Sequence, residues 1–188
     1  MTAPNNGTVQ PHLITSTEEG FGRLRVDPAQ TGFFEGREFR TFYEFSIASG
    51  ASVTLKFSCP VDFILFAQRL AVDAGAIRLS AITGAAEETP FNAPMPVIGK
   101  NRMASRRQYP GGYYAAQATI ANGGTITGGT VVEVVRVVAA GATAQQSTVG
   151  GQTADERGLP AGAYYLKLEN ISNGTATGVY SLFWEERP

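Results

Sequence analysis

Cysteine and histidine each occur once in the 188 residues, and charged residues make up only 16% of the chain, against a typical ~25%. A single cysteine excludes an internal disulfide. Cys59 sits in VTLKFSCPV, at strand spacing among apolar residues, and reads as a buried thiol rather than a reactive one. His12 lies in a segment with nothing to hold it rigidly, so the usual base of a histidine-dependent triad is lacking. The formal net charge is −1, without the basic bias expected of a nucleic-acid binder. No stretch approaches the ~20 apolar residues of a membrane span. MTAPNNGTVQPHL has neither a basic region nor an apolar run, so the expectation is a protein made and folded in a cytoplasm. HExxH, CxxC and EF-hand spacings do not occur, and TITGGTVV lacks the Lys-Ser/Thr of a phosphate loop. No metal, cofactor, nucleic-acid or membrane partner is therefore expected.

The chain does have 22 glycines, many threonines and 18 Phe and Tyr residues. Aromatic and β-branched residues favour strands, and glycine serves turns, so the composition predicts an all-β protein. A chain of this length can bury roughly 70% of its unfolded surface without disulfide staples. Residues 1–32 are rich in Thr, Pro, Asn and Gly and read as an extended arm; the body is 33–188. From residue 39 a period of two sets in. Phe39, Thr41, Tyr43, Phe45 and Ile47 point one way, and Arg40, Phe42, Glu44 and Ser46 the other. After the turn ASGAS, Val53, Leu55, Phe57 and Cys59 share the face of a second strand, and the two segments predict a hairpin. VDFILFAQRL also fits helical spacing, but it is short, aromatic-rich and follows Pro60, which favours a strand. AIRLSAIT and YYAAQATI read as further strands. TVVEVVRVVA carries valines on both faces and reads as an interior strand. The last two strands, AYYLKLENI and GVYSLFWEERP, are joined by SNGTAT, where Asn173-Gly174 is a turn signal; Asn170 and Asn173 begin glycosylation-type triplets but serve here as turn residues. Residues 84–112 form a long irregular loop broken by Pro90, Pro94, Pro96 and Pro110, and 140–162 a second polar loop. About eight strands and no helix predict a β-sandwich of jelly-roll type.

Three clusters are candidates for function. FFEGREFRTFYEF, residues 33–45, holds Phe33, Phe34 and Phe42 beyond what the core face needs, with Arg37 and Arg40 between them; interfaces favour aromatics and arginine at their centres. Lys100, Arg102, Arg106 and Arg107 form a basic cluster in the irregular loop, beside Tyr109, Tyr113 and Tyr114. Basic residues interleaved with aromatics suit single-stranded nucleic acid or an acidic protein face, and a solvated loop is the plainer reading. The carboxylates Glu35 and Glu38, or Asp155-Glu156 before Arg157, could in principle form an acid/base pair, but spacing alone does not identify one, and Asp155 with Arg157 could simply clamp a loop.

From about Phe33 to its end the chain resembles a family of tailed-bacteriophage virion structural proteins. The likeness rests on FFEGREFRTFYEF, PVDFILFAQRLAVDAGAIRL, PVIGKNRM, TGGTVVEVVRV, DERGLPAGAYYLKLENIS and GVYSLFWEERP, in that order. The resemblance implies a non-enzymatic capsid decoration (cement) protein of the virion surface. Its expected partners are the major capsid protein and further copies of itself, as dimer or trimer. The alternative is a head-fibre or tail component with a glycan-binding β-sandwich, for which Tyr109, Tyr113 or Tyr114 would have to be exposed stacking platforms. No catalytic residues come with the resemblance. The interface candidates are Phe33, Phe34, Arg37, Arg40, Phe42, Lys100, Arg102, Arg106 and Arg107.

Overall fold

The computed structural model describes residues 31–101, 114–139, 145–149 and 157–188. Residues 1–30 of the expected arm, with His12, lie outside these, as do Arg102, Arg106, Arg107, Tyr109, Tyr113, Asp155 and Glu156.

Alternating polarity builds the strands. In β1 (Glu38–Ile47), Phe39, Thr41, Phe45 and Ile47 are buried, while Arg40, Phe42, Glu44 and Ser46 are exposed. β2 (Ser52–Cys59) buries Leu55, Phe57 and Cys59 in the same way. VDFILFAQRL lies within one long strand, β3 (Asp62–Ala74), and β4 (Ala76–Thr83) follows a glycine turn at Gly75. The described part of the irregular loop holds only short strands: β5 (Ala86–Thr89), β6 (Ala93–Pro94) and β7 (Ile98–Gly99). Then come β8 (Thr119–Asn122), β9 (Thr125–Thr127), β10 (Thr130–Val138), β11 (Gln145–Val149), β12 (Arg157–Leu159), β13 (Gly162–Asn170) and β14 (Ala176–Arg187).

These strands make two stacked antiparallel sheets, a β-sandwich. Sheet A runs β11-β3-β14-β1-β7, with β12 also paired to β3; sheet B runs β10-β4-β13-β2-β8-β6. β5 and β9 form a separate two-stranded ribbon. The core between the sheets is centred on Trp184, Tyr180, Leu168, Val72 and Ile77, all essentially inaccessible. Phe57 packs on Phe63 at 4.8 Å between ring centroids and meets Trp184 edge-on at 5.2 Å, a geometry aromatic pairs favour.

Four expectations need correction. β1 and β2 are not a hairpin: β1 pairs with β14 and β7, and β2 with β13 and β8. Each strand has one apolar face, and the chain crosses from one sheet to the other at residues 48–51, so that the two faces pack against each other. For the same reason the turn at Asn173-Gly174 joins β13 in sheet B to β14 in sheet A. Among the described residues β10 is not an interior strand, since it ends the order of sheet B and pairs there only with β4. The expected strand at 113–120 shrinks to its end, because the amides of Gln117 and Ala118 bond to the Glu186 carboxylate instead of a neighbouring strand. Lastly, a single helical turn, α1 (Thr31–Glu35), stands where none was expected. Gly36, at φ 77°, ends it in the left-handed conformation, with the Arg37 amide donating back to the Gly32 carbonyl at 2.8 Å.

Candidate functional site

The outward residues of β1 define the site. In the β1–β14 register Arg40 stands opposite Phe183, Phe42 opposite Ser181 and Glu38 opposite Glu185. On the far side of β14, Arg69 of β3 also faces Ser181, and its guanidinium lies 5.0 Å from the centre of the Phe183 ring. The β3–β14 register slips between Phe183 and Trp184, leaving Phe66 as the extra residue of a bulge. The Lys100 ammonium sits 5.8 Å from the rings of both Phe66 and Phe33, a cation–π arrangement that ties β7, β3 and α1 together. The outer face of sheet A thus carries Phe33, Phe42, Phe66 and Phe183, with Arg40, Arg69 and Lys100 among them. Phe42 is 44% exposed; the other three rings are half-buried.

Beneath α1 lies a cluster of charge. Glu38 and Glu185 are neighbours on this face and both are buried. Lys100 pairs with Glu38 at 2.6 Å. Arg187 reaches Glu185 at 3.0 Å and Arg37 reaches it at 3.5 Å; Arg37 also pairs with Glu35 at 2.6 Å and donates to the Glu186 carbonyl. Burial raises the Glu185 carboxyl above its ordinary range, and the charge of Glu38 adds to this, outweighing the pull of Arg187 and Arg37. Gly32 presses directly on this group: a β-carbon there would fall inside the Glu185 carboxylate. α1 is therefore a lid over Glu185.

Of the interface candidates, the structure gathers Phe33, Arg40, Phe42 and Lys100 on one face. Arg37 lies at the same end but is committed to carboxylates. The side chain of Phe34 and the residues Arg102, Arg106 and Arg107 lie outside the described set. Glu35 and Glu38 do not form a pair, as each is held by its own cation. Arg157 bonds to Glu133 of β10 at 2.7 Å. Tyr114 turns inward: its hydroxyl donates to Glu186 at 2.8 Å and its ring lies 6.2 Å from Phe39. Burial and Glu186 push the Tyr114 phenol well above its usual range. Among the described residues no three His, Cys, Asp or Glu side chains gather closely enough to hold a metal ion. A cavity of about 260 Å³ lies between the sheets, lined by Phe57, Phe63, Leu65, Leu166 and Leu182, with the Glu133–Arg157 pair at its rim.

No family model matches the chain, and no curated protein or solved structure shows significant similarity to it.

Sequence reasoning missed Phe66, Arg69 and Phe183. Phe183 and Arg69 are outward members of strands whose alternation is plain, so the signal was there. What placed them beside Arg40 and Phe42 is the pairing of β1, β14 and β3, which joins segments over a hundred residues apart. Phe66 turns outward only through its bulge, for which FILFAQRL gives no sign.

Proposed function

We propose that this chain is a capsid decoration (cement) protein of a tailed bacteriophage, binding the outer surface of the major capsid lattice through the outer face of sheet A. The observation that carries this reading is the row of partly exposed aromatics, Phe33, Phe42, Phe66 and Phe183, interleaved with Arg40, Arg69 and Lys100 on one sheet face. Aromatic and arginine side chains dominate binding energy at protein interfaces. The resemblance of these segments to virion structural proteins, read from the sequence alone, points the same way. So does the strand order: β1-β14-β3-β11 faces β2-β13-β4-β10 and almost every connection crosses between the sheets, which favours a jelly-roll. Such a protein needs a rigid body and an adhesive face, and no reacting group. It stabilises the head by binding only the assembled lattice, which shifts the equilibrium away from burst shells.

The test is occupancy of purified capsids across a salt titration. Phe42→Ala should weaken binding by about tenfold, since a centrally placed aromatic is worth ~1–2 kcal/mol or more. Arg40→Ala should cost less, because an exposed ion pair contributes only about 0–1 kcal/mol. Binding should persist at moderate salt, since apolar burial is not screened. Loss of binding by twice physiological ionic strength, or Arg40 proving the more damaging position, would refute the adhesive face. Antibody labelling confined to the tail would refute the capsid assignment and favour the fibre alternative.

A further inference from the structure

Among the described residues β10 is a long edge strand with little to protect it. Natural sheets blunt their edges with short strands, prolines, charges or bulges. The opposite end of sheet B follows that rule, since β6 has two residues and one is Pro94; on sheet A, β7 has two residues and the other edge is divided between β12, of three, and β11, of five. β10 has nine. Among the described residues, four of the six exposed large hydrophobics lie on it: Val131, Val132, Val134 and Val138, each more than half exposed. Its charges do little to guard the edge. Glu133 is engaged by Arg157 and by the Gln68 amide, at 2.7 and 3.2 Å. Arg136 is the one exposed cation of the strand, and the one irregularity is the bulge between Val131 and Glu133.

We propose that β10 pairs antiparallel with β10 of a second copy, across a two-fold axis normal to the sheet, so that the two B sheets become one of twelve strands. The strand's own sequence selects this occupant. Such an axis keeps outward residues outward, so facing residue numbers must sum to an even constant, and few registers remain. Centring on Arg136 would set two guanidiniums against each other. Centring on Val134 would lay Val138 against Thr130, at the bulged end. Centring on Val135 keeps the paired stretch to residues 133–137, clear of the bulge; it places Val134 opposite Arg136, twice, and sets Glu133 against Val137. No like charges then face one another, and each arginine stem lies along a valine, the kind of cross-strand pair that stabilises sheets. The contact is isologous and closes at two copies, so the oligomer is a dimer rather than a trimer. The axis also leaves the outer faces of both A sheets pointing the same way. On the decoration reading, and resting on it, one dimer therefore offers two equal adhesive faces to the lattice, and avidity follows.

The experiment is sedimentation equilibrium of the full chain without capsids, over a range of micromolar concentrations. The expected mass is twice 19.9 kDa. Val134→Lys puts an amine opposite Arg136 of the second copy at two places and should weaken association by at least about tenfold. It should not lower the melting temperature appreciably, because the position is exposed. Adding Arg136→Glu to that variant sets opposite charges face to face and should restore the dimer. A wild-type monomer at every concentration, a dimer indifferent to Val134→Lys, or a double variant that stays monomeric would each overturn the proposal. Since capsids play no part in the measurement, its failure leaves the decoration reading standing. Conversely, a dimer that ignores capsids sinks that reading alone.

Discussion

Glu186 offers the sharpest test of how this fold is held. The residue is wholly inaccessible, yet among the described residues it faces no cation within bonding reach. Four donors satisfy it instead: the Tyr114 hydroxyl at 2.8 Å, the amides of Gln117 and Ala118 at 2.9 and 3.0 Å, and the Trp184 indole at 3.3 Å. Glu186→Ala orphans all four, but unequally. The half-buried Tyr114 hydroxyl keeps the bond it accepts from the Gln117 side-chain amide at 3.0 Å and, like the exposed Gln117, can find water. Ala118 and Trp184 are buried and have no such recourse. Each buried orphan costs roughly 1–3 kcal/mol. The lost methylene adds about 1 kcal/mol, while relief from burying a charge gives some back. The net loss should be about 3–5 kcal/mol, or roughly 6–20 °C in melting temperature for a domain this size. Glu186→Gln keeps the volume and one carbonyl. Its amide can donate to a turned Tyr114 hydroxyl and conflicts only with the Gln117 amide, so it should lose about 1–2 kcal/mol. Urea unfolding gives both values, and hydrogen exchange should show the Ala118 amide losing protection first. A Glu186→Ala protein within about 1 kcal/mol of the parent, or a glutamine variant worse than the alanine one, would refute this account.

Two further substitutions probe the sheets. Gly178→Ala should cost about 1–3 kcal/mol in urea unfolding, because its β-carbon would overlap the Ala71 carbonyl of β3 and come within 2.7 Å of Phe45; Gly174→Ala, with nothing within 4 Å, is the matched control and should be neutral. Glu185→Gln should change how stability depends on pH. A carboxyl raised in the folded state contributes stability that is complete below its ordinary value of 4.5 and fades as pH climbs through the raised value, so the variant should gain on the parent from pH 4.5 upward; a constant difference across that range would show that burial does not govern this group.

The sandwich was legible because its strands alternate, and alternation is a local signal. Phe39 to Ile47 and Val53 to Cys59 declare their buried faces within ten residues each. What could not be read was which strand lies beside which. The rule that consecutive strands tend to pair led to a β1–β2 hairpin, where burying two apolar faces against each other required a crossing instead. β10 failed for a related reason. Valines on both faces mark either an interior strand or an exposed edge that awaits a partner, and the sequence does not separate the two. Glu186 drew no reading at all from the sequence, since nothing local shows that two distant amides and the Tyr114 hydroxyl will enclose it. On the outer face of sheet A, the outward placement of Arg40 and Phe42 followed from parity alone. Lys100 was singled out as part of a loop's basic cluster, but its place on this face rests on long-range pairing: β7 joins β1 with Ile98 opposite Arg40, and the Lys100 amide bonds to the Glu38 carbonyl.

FFEGREFRTFYEF answers to two demands at once, and parity keeps them apart. Phe39 and Phe45 must be in the core, so Arg40, Phe42 and Glu44 must be out. An exposed aromatic row on a flat sheet invites non-specific association unless charge interrupts it, and here a charged side chain flanks Phe42 on each side along the strand. That restraint has a consequence for affinity. Phe33, Phe66 and Phe183 are already half-buried, so docking removes only part of each ring from water, and Phe42 alone offers a large exposed area. One copy should therefore bind a lattice weakly. Two copies joined through β10 lose no adhesive surface, because the joining edge belongs to the other sheet. The second face then binds at an effective concentration set by a rigid sheet rather than a flexible linker. A variant that is monomeric through Val134→Lys should accordingly keep its adhesive face intact and still lose capsid occupancy, by a factor that grows as the protein is diluted. If the monomeric variant decorates capsids as fully as the parent at every dilution, the two surfaces are not coupled in this way.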